Sequence, residues 1–428
     1  MAIPRQIRSS PLALRGLGRA VTHLVLKDEL LDAQTLRAIG VAPYGGADVG
    51  ECLVTAARVK GTDLTSWHDA WTATAAATLA LAESQAAAGH TESARLAFWR
   101  SSSYFRTAGV MLMGAPLDPR LTASYAQQTS AFRRGAALLA CPPETLDIPY
   151  EGTTLPGYFF RAGPEEAPRA TVILTGGYDG TAEELYFSNG AAALARGYNV
   201  LAFDGPGQGA ALLQQGLVLR PDWENVVTPV LDYALSRPDV DPARVALIGL
   251  SLGGYLAPRA ASAEHRLAAC IADCGSYDLF DAALERIPGP LASGLADGRP
   301  LRTAALRAIL HELAAKPTAG WAIRRGQLVH GCTDPIDYLL ALRDYSLKDR
   351  AGQITCPTFV CSAEGDDISA SASQLAEALN CAKQYVRFTA AEGAGDHCES
   401  GARALYHARS FGWLDAILLP PSGAPVRG

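Results

Sequence analysis

The chain has 428 residues, 49% of them apolar, and a formal net charge of −6 at pH 7. That length suits two domains, or one large α/β domain with insertions, around a sizeable core. The acidic balance, without a basic block or basic–aromatic stripe, argues against nucleic acid and anionic membranes as partners, and no apolar run reaches the ~18–20 residues of a membrane span. The first residues, Met1 to Arg8, are basic, but no apolar segment with a small-residue cleavage site follows, so no secretory leader is expected. Nine cysteines are scattered without a C-x-x-C pair. An odd count of this kind suits reduced, mostly buried thiols in a cytoplasmic protein, not a disulfide framework or a zinc site. Neither a metal nor a cofactor is expected.

Residues 1–144 are Ala-rich and poor in strand-like runs. Helices are predicted over 71–82 and 93–100, with Gly89 and Gly114 as stops. Residues 94–139 read as paired helices broken by Ala115-Pro-Leu-Asp-Pro119. The pattern changes at Cys141-Pro-Pro143. Segments 145–148 and 157–160 flank a turn and predict an antiparallel hairpin at a sheet edge. Apolar runs at 171–174, 199–203, 245–248, 269–272, 358–361 and 385–388 then alternate with helical stretches. Such continuous runs predict a mostly parallel sheet with helices on both faces. Between 276 and 350 the alternation stops, and a helical lid insertion broken by Pro288, Pro290, Pro300 and Pro317 is expected. Residues 145–420 thus form a candidate catalytic domain, and 421–428 a tail.

Gly249-Leu250-Ser251-Leu252-Gly253 lies between an apolar run and a small-residue helical run. Strand, sharp turn and helix around G-x-S-x-G make a nucleophile elbow, with Ser251 as the candidate nucleophile. A serine needs a base, and the base an orienting acid. In a sheet of this kind they follow in the order Ser, Asp/Glu, His, on loops at the carboxyl ends of strands. After 358–361 comes Ser362-Ala-Glu-Gly-Asp366-Asp367, and after 385–388 a Gly-rich loop with Asp396-His397-Cys398. His397 is the expected base and Asp366 the expected acid, with Asp367 and then Glu364 as alternatives. The backbone N–H groups of Leu252 and Tyr178 are the expected oxyanion donors. Asp179 follows directly. Burial would raise its pKa and let it donate a proton to substrate; equally, Asp179-Gly180 is a turn whose carboxylate binds nearby amides. Glu183 and Glu184 fall in the first turn of the next helix. Asp204-Gly-Pro-Gly-Gln-Gly209 is a weak match to a nucleotide-binding loop and a better one to a pocket floor.

Five motifs in this order carry a resemblance: Gly176-Gly-Tyr-Asp-Gly-Thr-Ala-Glu-Glu184, Phe203-Asp-Gly-Pro-Gly-Gln-Gly209, Gly249-Leu-Ser-Leu-Gly-Gly254, Cys356-Pro-Thr358 and Gly395-Asp-His-Cys398. The chain resembles the α/β-hydrolase superfamily. It resembles one branch more closely, that of 2,6-dihydroxypseudooxynicotine hydrolase, the fungal yellowish-green pigment hydrolases that shorten polyketides, and the FrsA-like esterases. The resemblance covers about 145–420 and extends faintly to Trp99-Arg-Ser-Ser-Ser-Tyr-Phe-Arg106. It implies a triad of Ser251, Asp366 and His397, an N-terminal helical cap over the pocket, and a homodimer. In the nicotine-pathway enzyme a glutamate after the Gly-Gly-x element assists carbon–carbon cleavage; here that place holds Asp179. The expected function is a serine hydrolase that cleaves a carbon–carbon bond beside a ketone in a polyketide-like or aromatic substrate. An ester or thioester hydrolase, or an acyltransferase or cyclase of secondary metabolism, is the alternative on the same fold. A non-catalytic FrsA-like binding protein is the alternative of another class.

Overall fold

The computed structural model describes residues 23–165 and 167–419. The basic N-terminal stretch and the 421–428 tail lie outside the described residues. Among these, one sheet holds eight strands: β1 Glu144–Tyr150, β2 Thr153–Phe160, β3 Arg169–Thr175, β4 Asn199–Phe203, β5 Val240–Leu250, β6 Ala269–Asp273, β7 Thr358–Ala363 and β8 Lys383–Phe388. Their order is β1-β2-β4-β3-β5-β6-β7-β8. β1 pairs antiparallel to β2, and β2 to β4. All other pairs are parallel. The expected α/β-hydrolase fold, with an edge hairpin leading into a mostly parallel sheet, is what forms.

Every residue of β4, β6 and β7 is buried. Strands covered on both faces favour apolar or small side chains, which is why these segments read as largely continuous runs, and the buried exceptions are paired, Asn199 with the Asp239 carbonyl and Asp273 with Arg403. Side chains of β3 divide between two cores. Ile173 joins Leu201, Phe203 and Leu247 on one face; Val172 and Leu174 join Val200, Ile248, Ile271 and Phe359 on the other. The parallel registers align the strand ends that matter. Thr175 pairs with Gly249, Leu250 with Asp273, and Ala363 with Phe388. The loops that leave these residues therefore converge on one edge of the sheet.

The N-terminal region forms α1 Glu29–Gly40, α2 Val49–Ala56, α3 Leu64–Ala87, α4 Thr91–Val110 and α5 Pro119–Ala136. Asp28, Asp48, Asp63 and Asp118 each accept a first-turn N–H, at the starts of α1, α2, α3 and α5. Gly89, at φ 77°, separates α3 from α4. α4 ends four residues before Gly114. Trp67 and Trp71 turn inward from α3, and Trp67 Nε1 donates to the Thr107 carbonyl at 2.8 Å.

The segment between β6 and β7 is helical, over Leu279–Leu284, Gly289–Ala296, Pro300–Ala314, Trp321–His330 and Pro335–Ala341. Of the expected breaks, Pro288 and Pro317 fall between helices, whereas Pro290 and Pro300 sit in first turns. There a missing N–H costs nothing. The insertion has a small core of its own around Leu306, Leu310 and Ile323. Its two ends are tied by Leu347 N–H to the Tyr277 carbonyl, at 2.8 Å. It also reaches the N-terminal helices: Trp321 Nε1 donates to the Val110 carbonyl at 2.9 Å, and Thr318 Oγ1 to Asp28 at 2.9 Å.

Candidate active site

β5 ends at Leu250 and a helix spans Gly253–Ala261. Between them Ser251 has φ 62°, a left-handed conformation that a side-chain-bearing residue holds only when its surroundings force it. The surroundings here are tight. A Cβ on Gly249 would overlap the Gly253 carbonyl, and one on Gly253 would lie 2.7 Å from the Thr175 oxygen. Glycines at both places let the chain turn back on itself and hold Ser251 out from the sheet.

Ser251 Oγ lies 2.9 Å from His397 Nε2, and His397 Nδ1 lies 2.8 Å from Asp366 Oδ2. A carboxylate only accepts, so Nδ1 carries the proton and Nε2 is free to accept from Ser251. Asp366 is fully buried at its side chain, and its second oxygen accepts Ile368 N–H at 3.0 Å. Burial pushes the Asp366 carboxyl up. The charge and hydrogen bond of His397, with the Cys274 thiol and the Ile368 amide, outweigh it and hold the group below the ordinary range. For His397 burial favours the neutral ring, but the adjoining Asp366 carboxylate outweighs it and makes the imidazole a stronger base. Asp367 and Glu364 are exposed and stand outside this line. Glu364 accepts Ala390 N–H instead, at 2.8 Å.

The loop after β3 runs over the elbow. A Cβ on Gly177 would lie 2.7 Å from Ser251 Cβ and 3.0 Å from the Leu252 nitrogen. The Gly177 backbone therefore packs directly against Ser251 and the Leu252 nitrogen. Gln208 Nε2 fixes the loop by donating to the Gly176 carbonyl at 2.8 Å. The Gly-rich loop 204–209 is thus a support for the site. Its buried Asp204 accepts Ala182 N–H at 2.7 Å and Ala210 N–H at 2.8 Å. The loop's own amides are also consumed internally, Gly205 N–H by Gln208 Oε1, Gly207 N–H by the Leu217 carbonyl and Gln208 N–H by the Gly205 carbonyl, which removes the phosphate cradle a nucleotide would need.

Asp179 departs from both sequence readings. It meets arginines, not amides. Arg37 Nη1 lies 2.8 Å from its Oδ2, Arg106 Nη2 3.3 Å from the same oxygen, and Arg325 Nη1 3.5 Å from Oδ1. Arg37 also grips Glu184 with two 2.7 Å hydrogen bonds. Burial alone would raise Asp179, as expected from sequence. The three guanidiniums outweigh it and hold the carboxyl well below the usual range. Asp179 is therefore a buried carboxylate, not a neutral acid with a proton to give. Arg325 lies over the rings of Tyr178 and Trp321, its carbon 5.0 and 4.3 Å from the centroids. Glu183 and Glu184 are in the first turn of a short helix, as expected. Beside this cluster, α4, α5 and the 178–181 loop line an open cleft in which Phe105, Val110, Met113, Leu121 and Leu212 meet Arg106, Gln128 and Asp179.

Two further residues were hidden in the sequence. Cys274 Sγ donates to Asp366 Oδ2 at 3.0 Å and lies 3.4 Å from His397 Nδ1. Cys398 Sγ lies 3.4 Å from His397 Nε2. Cys274 resembles any strand-end core cysteine. The available signals were its place just after β6, at the edge where the site forms, and the adjacency of Cys398 to His397.

Comparison with known proteins agrees with the geometry. A model described as the alpha/beta hydrolase family matches residues 172–408. Hydrolase LUC6 of a Fusarium species is 37% identical over 416 residues, 92% of this chain and 97% of its own. The 20-hydroxy-prefusarin hydrolase FUS2 of Gibberella moniliformis is 37% identical over 416 residues, covering 92% of this chain and 98% of its own. The solved 2,6-dihydroxy-pseudo-oxynicotine hydrolase shares the fold, with a TM-score of 0.68 at 23% identity over 91% of this chain and 98% of that one. With a hydrogen-bonded Ser251, His397 and Asp366 on converging strand-end loops, and relatives named as hydrolases along almost its whole length, this chain belongs to the α/β-hydrolase family of enzymes.

Proposed function

We propose that the protein is a serine hydrolase acting on an apolar, polyketide-like carbonyl substrate. The observation that carries this is the unbroken line from Ser251 Oγ through His397 to Asp366, at 2.9 and 2.8 Å. In this reading Ser251 attacks the carbonyl and His397 takes its proton at Nε2. Asp366 fixes the tautomer and stabilises the imidazolium. The Leu252 and Tyr178 N–H groups receive the oxyanion. His397 then returns the proton to the leaving group, and water repeats the sequence on the acyl-enzyme. The substrate class rests on the FUS2 relative, whose name denotes action on 20-hydroxy-prefusarin; the cleft beside the 178–181 loop, part apolar and part charged, is where such a substrate would extend. Helices within 1–144 would act as the cap over the 145–420 catalytic domain, since α4 and α5 supply much of the cleft's lining.

An ionised Asp179 favours leaving groups that need no extra proton donor, so an ester or thioester is the first reading. Capture by an internal nucleophile would make the same acyl-enzyme a cyclase intermediate. Carbon–carbon cleavage beside a ketone is the second reading, and one observation favours it. Among the described residues, the ion pairs of Arg37, Arg106 and Arg325 are with Asp179 and Glu184, three positive charges against two. The surplus charge would stabilise an enolate that departs unprotonated. Mass analysis of products from a matched thioester and β-diketone with one acyl chain tests the choice. Thioester turnover at least tenfold faster supports the first reading, and the reverse ranking supports the second. Turnover of neither, with no labelling by a fluorophosphonate, would point to the non-catalytic alternative.

A further inference from the structure

Cys274 and Cys398 come from loops 124 positions apart, yet their sulfurs lie 3.3 Å from one another. Both residues hold left-handed backbone, at φ 65° and 52°. Non-glycine residues take that conformation at a cost of about 1–3 kcal/mol each, so the fold sustains strain to keep the two thiols here. An ordinary core cysteine rests among apolar atoms. These two instead face the nitrogens of His397, Cys274 by Nδ1 and Cys398 by Nε2, each at 3.4 Å. One ligand atom from each of Cys274, His397 and Cys398 lies within 4.8 Å of the others.

We propose that these three residues form a soft-metal site, of which Zn²⁺ is the natural occupant class, and that metal bound there inhibits the enzyme. Tetrahedral zinc with bonds of about 2.3 Å to sulfur and about 2.0 Å to nitrogen sets S···S near ~3.8 Å and S···N near ~3.5 Å. The sulfurs need to part by about half an ångström, and the Cys398–Nε2 separation already fits. Nε2 is the ligating nitrogen. Nδ1–H then keeps its bond to Asp366, the carboxylate–histidine–metal arrangement that orients metal-bound imidazoles. Binding releases the two thiol protons and leaves a fourth position for water. The second nearby group of acid and thiol, Asp273, Cys361 and Glu399, already holds a cation, because Arg403 Nη1 lies 3.0 Å from Asp273. Inhibition follows because a metal on Nε2 occupies the lone pair that must accept the Ser251 proton; that consequence rests on the proposed triad, while the site itself does not.

The test uses full-length protein treated with a chelator and then titrated with Zn²⁺ against a chromophoric competitor. A parallel Co²⁺ titration reads thiolate-to-metal charge transfer. Activity is read as the rate of Ser251 labelling by a fluorophosphonate. One equivalent should bind and labelling should fall at least tenfold, with recovery on chelation. Cys274→Ser and Cys398→Ser should each weaken binding at least tenfold and lose the charge-transfer band, with Cys398→Ala as a second version. Ser251→Ala should bind zinc as wild type does, which separates the metal site from the triad reading. Unchanged stoichiometry and affinity in both cysteine variants would overturn the proposal, and so would metal bound through both thiols with labelling undiminished.

Discussion

Replacing Asp179 with Asn tests the reading of this carboxylate as a structural anion. The side chain is 5% exposed, and its arginine partners Arg37, Arg106 and Arg325 are 23%, 8% and 15% exposed. Removing one partner of a buried ion pair typically costs about 3–5 kcal/mol, because the other charge stays behind unpaired. Arg37 and Arg106 retain Glu184. Arg325 has no other carboxylate within ion-pair distance among the described residues, and it keeps only the faces of Tyr178 and Trp321. Asparagine still accepts a hydrogen bond, so the lower end applies and Asp179→Asn should cost about 3 kcal/mol. Urea unfolding followed by tryptophan fluorescence measures it. The same change loosens the loop carrying the Tyr178 N–H. Losing one oxyanion donor costs ~10²–10³ in rate, and the loss should be similar for ketone and ester substrates. Adding Arg325→Ala should restore part of the stability, since the orphaned charge leaves with its partner. A variant as stable as wild type, with a defect confined to carbon–carbon cleavage, would refute this reasoning and return Asp179 to the role of proton donor.

Asp366→Asn should lower kcat by ~10⁴, the loss expected when the histidine takes the wrong tautomer, while the exposed Asp367→Asn should stay within about threefold of wild type, as surface substitutions generally do; steady-state kinetics on a p-nitrophenyl ester ranks them. Gly177→Ala would place a methyl group 2.7 Å from Ser251 Cβ. Carbon contacts relax at about 3.5–4.0 Å, so the loop must retreat by about 1 Å, enough to cost ~10² in kcat; the melting temperature should move far less than the rate. Deleting the region before residue 144 should expose the apolar lining contributed by α4 and α5 and lower both solubility and activity; sedimentation and turnover of the shortened protein check it.

The strands were legible where burial on both faces made the runs continuous, and β4 matches its predicted bounds. β5 begins five residues before its apolar run, because Asp241, Pro242 and Arg244 at its start carry no such pattern. β8 begins at Lys383 and Gln384, exposed residues on an edge strand. Ser251 and His397 were legible because strand-end loops in a parallel sheet must converge, so chain order alone brings them together. Sequence favoured Asp366 over Asp367 by its register with the strand end but left both open, since adjacent positions share a loop and only folding buries one of them. The arginines around Asp179 escaped entirely. They come from α1, α4 and the insertion, and no local pattern links them. That omission reversed the expected protonation of Asp179: its environment, not its burial, sets its charge.

The central claim is that Ser251 is the nucleophile of a working triad. Purified Ser251→Ala and wild-type protein, treated with a fluorophosphonate and digested for mass spectrometry, test it most directly. One adduct is expected on the wild type, on the peptide containing Ser251. None is expected on the variant, with a fall in kcat approaching ~10⁶ at an unchanged melting temperature. An adduct elsewhere, or turnover by the variant near the wild-type rate, would contradict it.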